Sequence, residues 1–428
     1  MIGILFISIF IFFIIGVPIA FAIGGGTLLA IIYSGNLPLV LVPQRMFIAL
    51  DNWVLMAIPL FMLAGNLMSA GGMSKRIVLF CSELFGFVKG GLAIISVAAS
   101  MVFAGVSGSS TADTAAIGSI MLPAMKEDGY NMKFATALQA AAGSIGPVIP
   151  PSILMILIGF MTDTSVAKLF LGGIVPGVLI GIGLMFISYL HALRGGEKYL
   201  PTKNKQFNWK RLLKTGIEAL PGLGLPFIII FGIVGGIFTA TEAAVIAVVY
   251  GLIVGLFVYK EITIKDLPNI FLKSAELACI VMFVCTTAYL FTWFATAIHL
   301  PDILAKFMMS KVQNKFEFLI FLNILLLIVG MFMESFSAIV ILMPLLFPVA
   351  QSYGIDPVHF GVIACVNLAI GYITPPYGAT LFVSCSLSGK SIREVTPYIF
   401  PILLMMLFVL IIITYLPQSF IWIPNMLN

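Results

Sequence analysis

Four hydroxyls and one carboxylate lie within seven residues of an otherwise apolar stretch: Ser107, Ser109, Ser110, Thr111 and Asp113. A smaller set, Glu334, Ser335 and Ser337, lies further along the chain. Hydroxyls, carbonyls and a carboxylate are hard oxygen donors, and they suit a hard cation such as Na⁺. An acid inside an apolar segment is a functional candidate by default. Serines in membrane helices often only back-bond or let helices approach. Here they cluster with an acid and precede a proline-rich interruption. The interruptions read GSIGPVIPPS at Gly143–Ser152 and GYITPPYG at Gly371–Gly378. Proline lacks an N–H and disfavours helix at the residue before it, so each helix must break there. Lipid cannot satisfy the freed backbone groups, so such a break must face protein or a water-filled cavity. Freed carbonyls and helix C-termini suit a cation, whereas helix N-termini suit a carboxylate.

Other candidates read as structural. Glycines such as Gly24, Gly25, Gly26, Gly235 and Gly236 are packing contacts. Glu276 lies near a segment end and snorkels to water; Glu242 lies within a segment or at an interface; His299, before Pro301, is interfacial. Trp53, Trp209, Trp293 and Trp422 read as interface anchors. The five cysteines have neither metal-site nor redox spacing, and no His–Cys cluster suits zinc.

Positioning these residues falls to a membrane domain. Hydrophobic residues make up 61% of the 428 residues and charged residues 9%. A soluble domain carries about 25% charged residues. Long apolar runs recur from Ile2 to Ile423, enough for roughly ten crossings of about 20 residues. No basic region precedes Ile2 and the first run continues to Tyr33, so this segment, as one tilted helix or two short ones, is expected to be retained. Met73–Phe87 and Asp302–Val312 are amphipathic and interfacial.

The hydrophilic loop Arg194–Lys214 carries Arg194, Lys198, Lys203, Lys205, Lys210, Arg211 and Lys214 against Glu197 alone. The positive-inside rule places it in the cytoplasm, which turns the mild basic excess into a topology signal and away from nucleic acid. Lys75, Arg76, Lys89, Lys126, Lys133, Lys260, Lys265, Lys273, Lys390 and Arg393 then share its side. Arg45, Lys168, Lys306, Lys311 and Lys315 fall outside. This partition requires 91–124 and 316–349 to enter and leave on one side, as re-entrant hairpins.

The chain also repeats itself. At a constant spacing of 225 residues, Gly105, Pro123, Gly129, Gly146, Pro150 and Pro151 match Gly330, Pro348, Gly354, Gly371, Pro375 and Pro376. An odd number of crossings separates the hairpins, so the copies are expected to be inverted, as in secondary transporters with broken helices. The expected fold is all-α and polytopic. It is a single transmembrane domain over 1–428, with a first repeat at 1–193, the cytoplasmic loop at 194–214 and a second repeat at 215–428. The broken helices fall at 134–161 and 360–384. The binding site belongs at the repeat interface near the bilayer midplane.

These motifs, with AIPLFMLAGNLM at Ala57–Met68 and GVSGSSTADTAAIGSIMLPAM at Gly105–Met125, resemble the large membrane subunit of tripartite ATP-independent periplasmic transporters, the DctM family. The resemblance covers nearly the whole chain. It implies inner-membrane import of organic acids on a Na⁺ gradient, with no catalysis and no organic cofactor. The implied partners are a small four-helix membrane subunit and a periplasmic substrate-binding protein. The implied fold is similar to that of divalent-anion symporters, with an elevator-type transport domain moving against a scaffold.

By the same resemblance, one sodium site would use Ser107, Ser109 and Asp113 with Gly143, Gly146 and Pro147. The other would use Glu334 and Ser337 with Gly371 and Thr374; the second hairpin lacks the Ser-Ser-Thr run of the first. The substrate would lie between the hairpin tips, by Ser109, Ser110, Thr111, Ser335, Ser337, Pro150 and Pro375. Family substrates include C4-dicarboxylates and sialic acid, and the overall likeness leans to the sialic-acid branch. Two other classes compete. An intramembrane enzyme acting on a lipid or isoprenoid would need close acids or a metal constellation, which the sequence lacks. An ion channel, or an anion symporter needing no binding protein, would not depend on the partners.

Overall fold

The computed structural model describes residues 1–35, 37–194 and 207–427, and all regular structure among them is helical. In chain order the first helices are α1 (Ile2–Ile14), α2 (Ile19–Ser34), α3 (Leu41–Leu50), α4 (Trp53–Ala70) and α5 (Met73–Phe85). There follow α6 (Gly91–Ser107), α7 (Ser110–Glu127), α8 (Met132–Ser144), α9 (Ile153–Thr162) and α10 (Val166–Arg194). The second half holds α11 (Trp209–Val234), α12 (Ala240–Ile253), α13 (Leu267–Ala297), α14 (Leu300–Lys311) and α15 (Lys315–Phe332). There follow α16 (Ser335–Ser352), α17 (Pro357–Gly371), α18 (Ala379–Ser388) and α19 (Ile392–Tyr415), and then two single helical turns at Gln418–Ile421 and Pro424–Leu427. Among the described residues, 8 helices are long and apolar enough to cross a membrane.

The order of elements recurs. A helix pair (α1–α2, α11–α12) precedes a crossing (α4, α13), a short amphipathic helix (α5, α14) and a two-helix hairpin (α6–α7, α15–α16). A helix in two pieces (α8–α9, α17–α18) and a long helix (α10, α19) complete each half. The halves differ where the sequence differs. α13 runs unbroken for 31 residues. Its counterpart is divided at Asp51–Asn52, because the Asn52 side chain accepts from the Val54 N–H at 2.9 Å and starts α4 afresh.

The first apolar run, Ile2–Tyr33, is two short antiparallel helices turned at Gly16 (φ +84°). A Cβ on Gly26 would sit 2.4 Å from the Ile9 side chain, so glycine sets this close approach. The basic loop is shorter than 194–214. α10 extends to Arg194 and α11 starts at Trp209, so Lys210, Arg211 and Lys214 lie on a helix that Asn208 caps. Glu197, Lys198, Lys203 and Lys205 lie outside the described residues.

The broken helices occupy the centre. Every residue of α8 from Phe134 to Ser144 and of α17 from Val358 to Gly371 is buried. The hairpins pack around them, and one polar pair in each half ties hairpin to broken helix. Ser96 on α6 donates to Gln139 Oε1 on α8 at 2.5 Å. Asn367 on α17 donates to Asn323 Oδ1 on α15 at 2.9 Å, and Asn323 donates to Thr414 Oγ1 on α19 at 3.2 Å. Lipid gives helices no hydrophobic reason to associate, so such bonds and close packing carry the cohesion.

Candidate functional site

The first hairpin turns at Gly108–Ser109. Gly108 has φ +61°, and a Cβ there would meet the Pro151 carbonyl oxygen at 2.5 Å. Only glycine permits both the turn and the contact with the break. Just before the turn, the Ser107 hydroxyl donates to Asp113 Oδ1, and the Ser109 N–H donates to Ser107 Oγ at 3.1 Å. Asp113 is fully buried, and its second oxygen, Oδ2, has no hydrogen-bond partner. That oxygen faces the α8–α9 break: a Cβ on Gly146 would lie 2.5 Å from it. A Cβ on Gly143 would collide with Thr114. The two glycines thus allow hairpin tip and break to touch.

The break itself spans the residues between Ser144 and Ile153. The Pro147 carbonyl accepts from the Ser152 hydroxyl and from Cys365 Sγ at 3.0 Å. Ser152 also accepts from the Met155 N–H at 3.1 Å and so starts α9. In the second half, Gly330 and Gly371 meet backbone to backbone; a Cβ on Gly371 would lie 2.8 Å from Gly330 Cα. Thr374 donates to the Ile370 carbonyl at 2.8 Å. The Pro150–Pro151 and Pro375–Pro376 peptides are both cis.

Between the two hairpin tips lies a cavity of about 50 Å³. Gly108, Ser109, Ser110, Thr111 and Pro147 line it from the first half, with Leu154 behind. Glu334, Phe336, Tyr372 and Ala379 line it from the second. Ser335 and Ser337 are buried on α16 and do not reach the lining. Pro150 and Pro375 do not line it either; Pro150 lies against Gly105 and a small apolar gap by Phe170 and Ile230.

Tyr372, absent from the sequence-derived site, closes the cavity. Its hydroxyl donates to Glu334 Oε1 at 3.4 Å and also interacts with the Ser110 and Ser335 side chains. A lone tyrosine in an apolar run reads as core. The available signal was the repeat itself, which sets Tyr372 opposite Pro147.

The electrostatics around the cavity combine two helix N-termini with two acids. α7 and α16 both begin at the cavity; α7 has no side-chain N-cap bond, whereas the Glu334 carboxylate at the start of α16 turns back toward the Phe336 and Ser337 N–H groups. By contrast Asn131, Ser152 and Asp356 cap α8, α9 and α17. Open N–H groups and the dipole at a helix N-terminus favour an anion. No basic side chain lines the cavity, while one acid lines it and another lies behind the tip. Two wider clefts flank this centre. One of about 1050 Å³ is lined by Trp53, Asp163, Thr239, Glu242 and Tyr289; there Glu242 belongs to a capping box with Thr239. The other, about 1000 Å³ and mostly apolar, runs between α1 and the second hairpin and includes Glu334.

The sequence profile described as "Tripartite ATP-independent periplasmic transporter, DctM component" matches residues 6–419. The chain belongs to the DctM family. It is 41% identical over 406 residues to the isethionate TRAP transporter permease protein DctMQ of Oleidesulfovibrio alaskensis. That alignment covers 95% of this chain but 64% of that longer protein. It is 34% identical to the sialic acid TRAP transporter large permease protein SiaM of Vibrio cholerae, over 96% of this chain and 95% of the other. Among solved structures, the YdaH transporter of Alcanivorax borkumensis superposes with a TM-score of 0.66 at 15% identity, over 90% of each chain, which is a likeness of fold. The permease is thus a multi-pass bacterial inner-membrane protein of a family that transports organic acids, and its relatives are transporter permeases, not enzymes.

Proposed function

We propose that this permease imports an organic acid by coupling it to Na⁺, with substrate delivered by a periplasmic binding protein and a small four-helix subunit beside it in the membrane. The observation that carries this reading is the buried, unpartnered Asp113 Oδ2 against the α8–α9 break. A naked carboxylate oxygen in a dry interior costs several kcal/mol, of the order estimated for effective desolvation of an ion. Na⁺ between Asp113, the Ser107–Ser109 turn and the backbone at Gly143–Pro147 would remove that cost. A second ion fits between Glu334, Ser337 and Gly371–Thr374. The substrate's anionic group would then lie in the central cavity by Ser109, Ser110 and Thr111, on the open N-terminus of α7.

The recurring order of elements, with a hairpin and a helix in two pieces in each half, supports elevator-type alternating access, with the hairpins and broken helices sliding against a scaffold built from α4 and α13. The wide cleft at Asp163 and Glu242 would serve the outer face, and the cleft along α1 the inner one. Sodium couples only if it binds the substrate-loaded state more tightly.

The test is uptake into proteoliposomes holding the permease with its small partner. Binding protein loaded with labelled isethionate or a C4-dicarboxylate is added outside, under equal inward gradients of Na⁺ or K⁺. Uptake is expected with Na⁺ and binding protein together. Equal uptake on the K⁺ gradient, or without binding protein, would sink the proposal.

A further inference from the structure

Paired prolines deny one carbonyl in each half its backbone partner. In the first break, the Pro147 carbonyl would accept from the N–H of residue 150 in a 3₁₀ turn or of residue 151 in an α turn. Both are prolines and have no N–H. In the second break, the Tyr372 carbonyl stands in the same place before Pro375 and Pro376. A carbonyl freed inside a membrane has to find another donor.

The two halves solve this differently. The Tyr372 carbonyl accepts from the Thr380 hydroxyl at 2.9 Å and from the Thr380 N–H at 3.2 Å, so the second half serves itself. The Pro147 carbonyl accepts from the Ser152 hydroxyl and from Cys365 Sγ at 3.0 Å. Cys365 is fully buried on α17, 218 residues further along and in the other half. The repeat sets Ala140, which has no side-chain donor, opposite Cys365, so this link runs one way only. A carbonyl oxygen has two lone pairs, and these two bonds use both. Pro147 lines the central cavity and follows Gly146, against which Asp113 Oδ2 lies.

We infer that Cys365 is a positioning residue for the proposed first sodium site, and that its thiol competes with Na⁺ for the Pro147 carbonyl. The inference rests on the sodium reading and adds a residue to it. Na⁺ beside Asp113 can take this oxygen only by displacing one of its two donors. Ser152 is the harder to displace, because its oxygen also starts α9 through the Met155 N–H. A thiol is the weaker donor of the two. The bond given up is therefore the one from Cys365, and its strength is subtracted from the affinity for Na⁺. Removing the thiol should tighten Na⁺ binding. That sign separates competition from packing, since the loss of a packing contact loosens the site.

The experiment uses the purified permease with its small subunit. Half-saturating Na⁺ is read from the rise in melting temperature, with K⁺ holding the ionic strength constant. Cys365→Val keeps the bulk and removes the donor; Cys365→Ala takes its place if the valine variant does not fold. The midpoint is expected to fall about threefold, in keeping with the loss of one weak hydrogen bond. The infrared S–H band that disappears in the variant identifies Cys365. In wild type that band should move to the position of an unbonded thiol when Na⁺ replaces K⁺. An unchanged or raised midpoint in the folded variant would overturn the inference. So would a band indifferent to Na⁺ while Na⁺ still raises the wild-type melting temperature. A wild-type melting temperature that ignores Na⁺ would instead overturn the sodium reading, and the inference with it.

Discussion

At the scale of single residues, charge and space decide the candidate sodium site. Asp113→Asn keeps the shape and can still accept from Ser107, but it removes the charge that a cation would neutralise. Half-saturating Na⁺ should rise at least tenfold, or about 1.4 kcal/mol of binding free energy. Titrating Na⁺ against uptake checks this, and an unchanged midpoint would clear Asp113 of the role. Gly146→Ala attacks the same place without touching charge. Its methyl would lie 2.5 Å from Asp113 Oδ2, closer than real contacts allow, and 3.2 Å from the Ser109–Ser110 backbone, which is tight. Overpacking of this kind costs about 1–3 kcal/mol, and the sodium midpoint should rise as it does for Asp113→Asn. Much of this was legible in the sequence. A lone acid among hydroxyls before a proline break has few other readings in a membrane. Tyr372 was not legible, because an aromatic residue in an apolar helix is normally core, and its environment depends on a hairpin 38 residues away. Asn323 and Asn367 escaped for the same reason: their pairing is 44 residues apart and no local pattern announces it.

At the scale of elements, glycine decides how closely a hairpin can approach its broken helix. The proline breaks were readable one residue at a time, since a missing N–H acts wherever it stands. Which glycines matter was not readable, because a packing glycine and an idle one look alike in sequence. The structure separates them. A Cβ on Gly371 would meet Gly330 backbone atoms that cannot swing aside, whereas one on Gly3 would meet nothing within 4 Å. Gly371→Ala should therefore lower the melting temperature of the purified permease by several degrees and reduce uptake. Gly3→Ala should do neither. Equal thermal shifts for the two would mean that the Gly330–Gly371 approach is not under the constraint described. The split of α3 from α4 belongs to the same scale. It follows from one asparagine cap, which competes with a helix that its counterpart α13 completes.

At the scale of the molecule, the open question is what moves as a unit. A hairpin could open as a flap over the cavity, or travel with its broken helix. The polar pairs favour the second. Ser96–Gln139, buried, and Asn323–Asn367, part-buried, tie the first leg of each hairpin to the first half of its broken helix. Breaking such a bond in a water-free interior leaves an unpaired polar group, at about 1–3 kcal/mol each. A flap motion would break one per hairpin, whereas sliding of the whole body would break neither. The cleft at Glu242 has the opposite character, since Trp53 on α4 and Asp163 at the end of α9 line it together and no polar bond joins them. Thiol pairs distinguish the motions. Among the native cysteines only Cys279 is exposed, so Cys279→Ser gives a quiet background. A short cross-link across Ser96→Cys and Gln139→Cys should leave Na⁺-driven uptake within about twofold of the reduced protein, because the joined elements already travel together. A cross-link across Trp53→Cys and Asp163→Cys should abolish uptake, and reduction should restore it, because in the proposed elevator motion α9 slides past α4. If the first cross-link stops transport and the second does not, the hairpin itself is the gate.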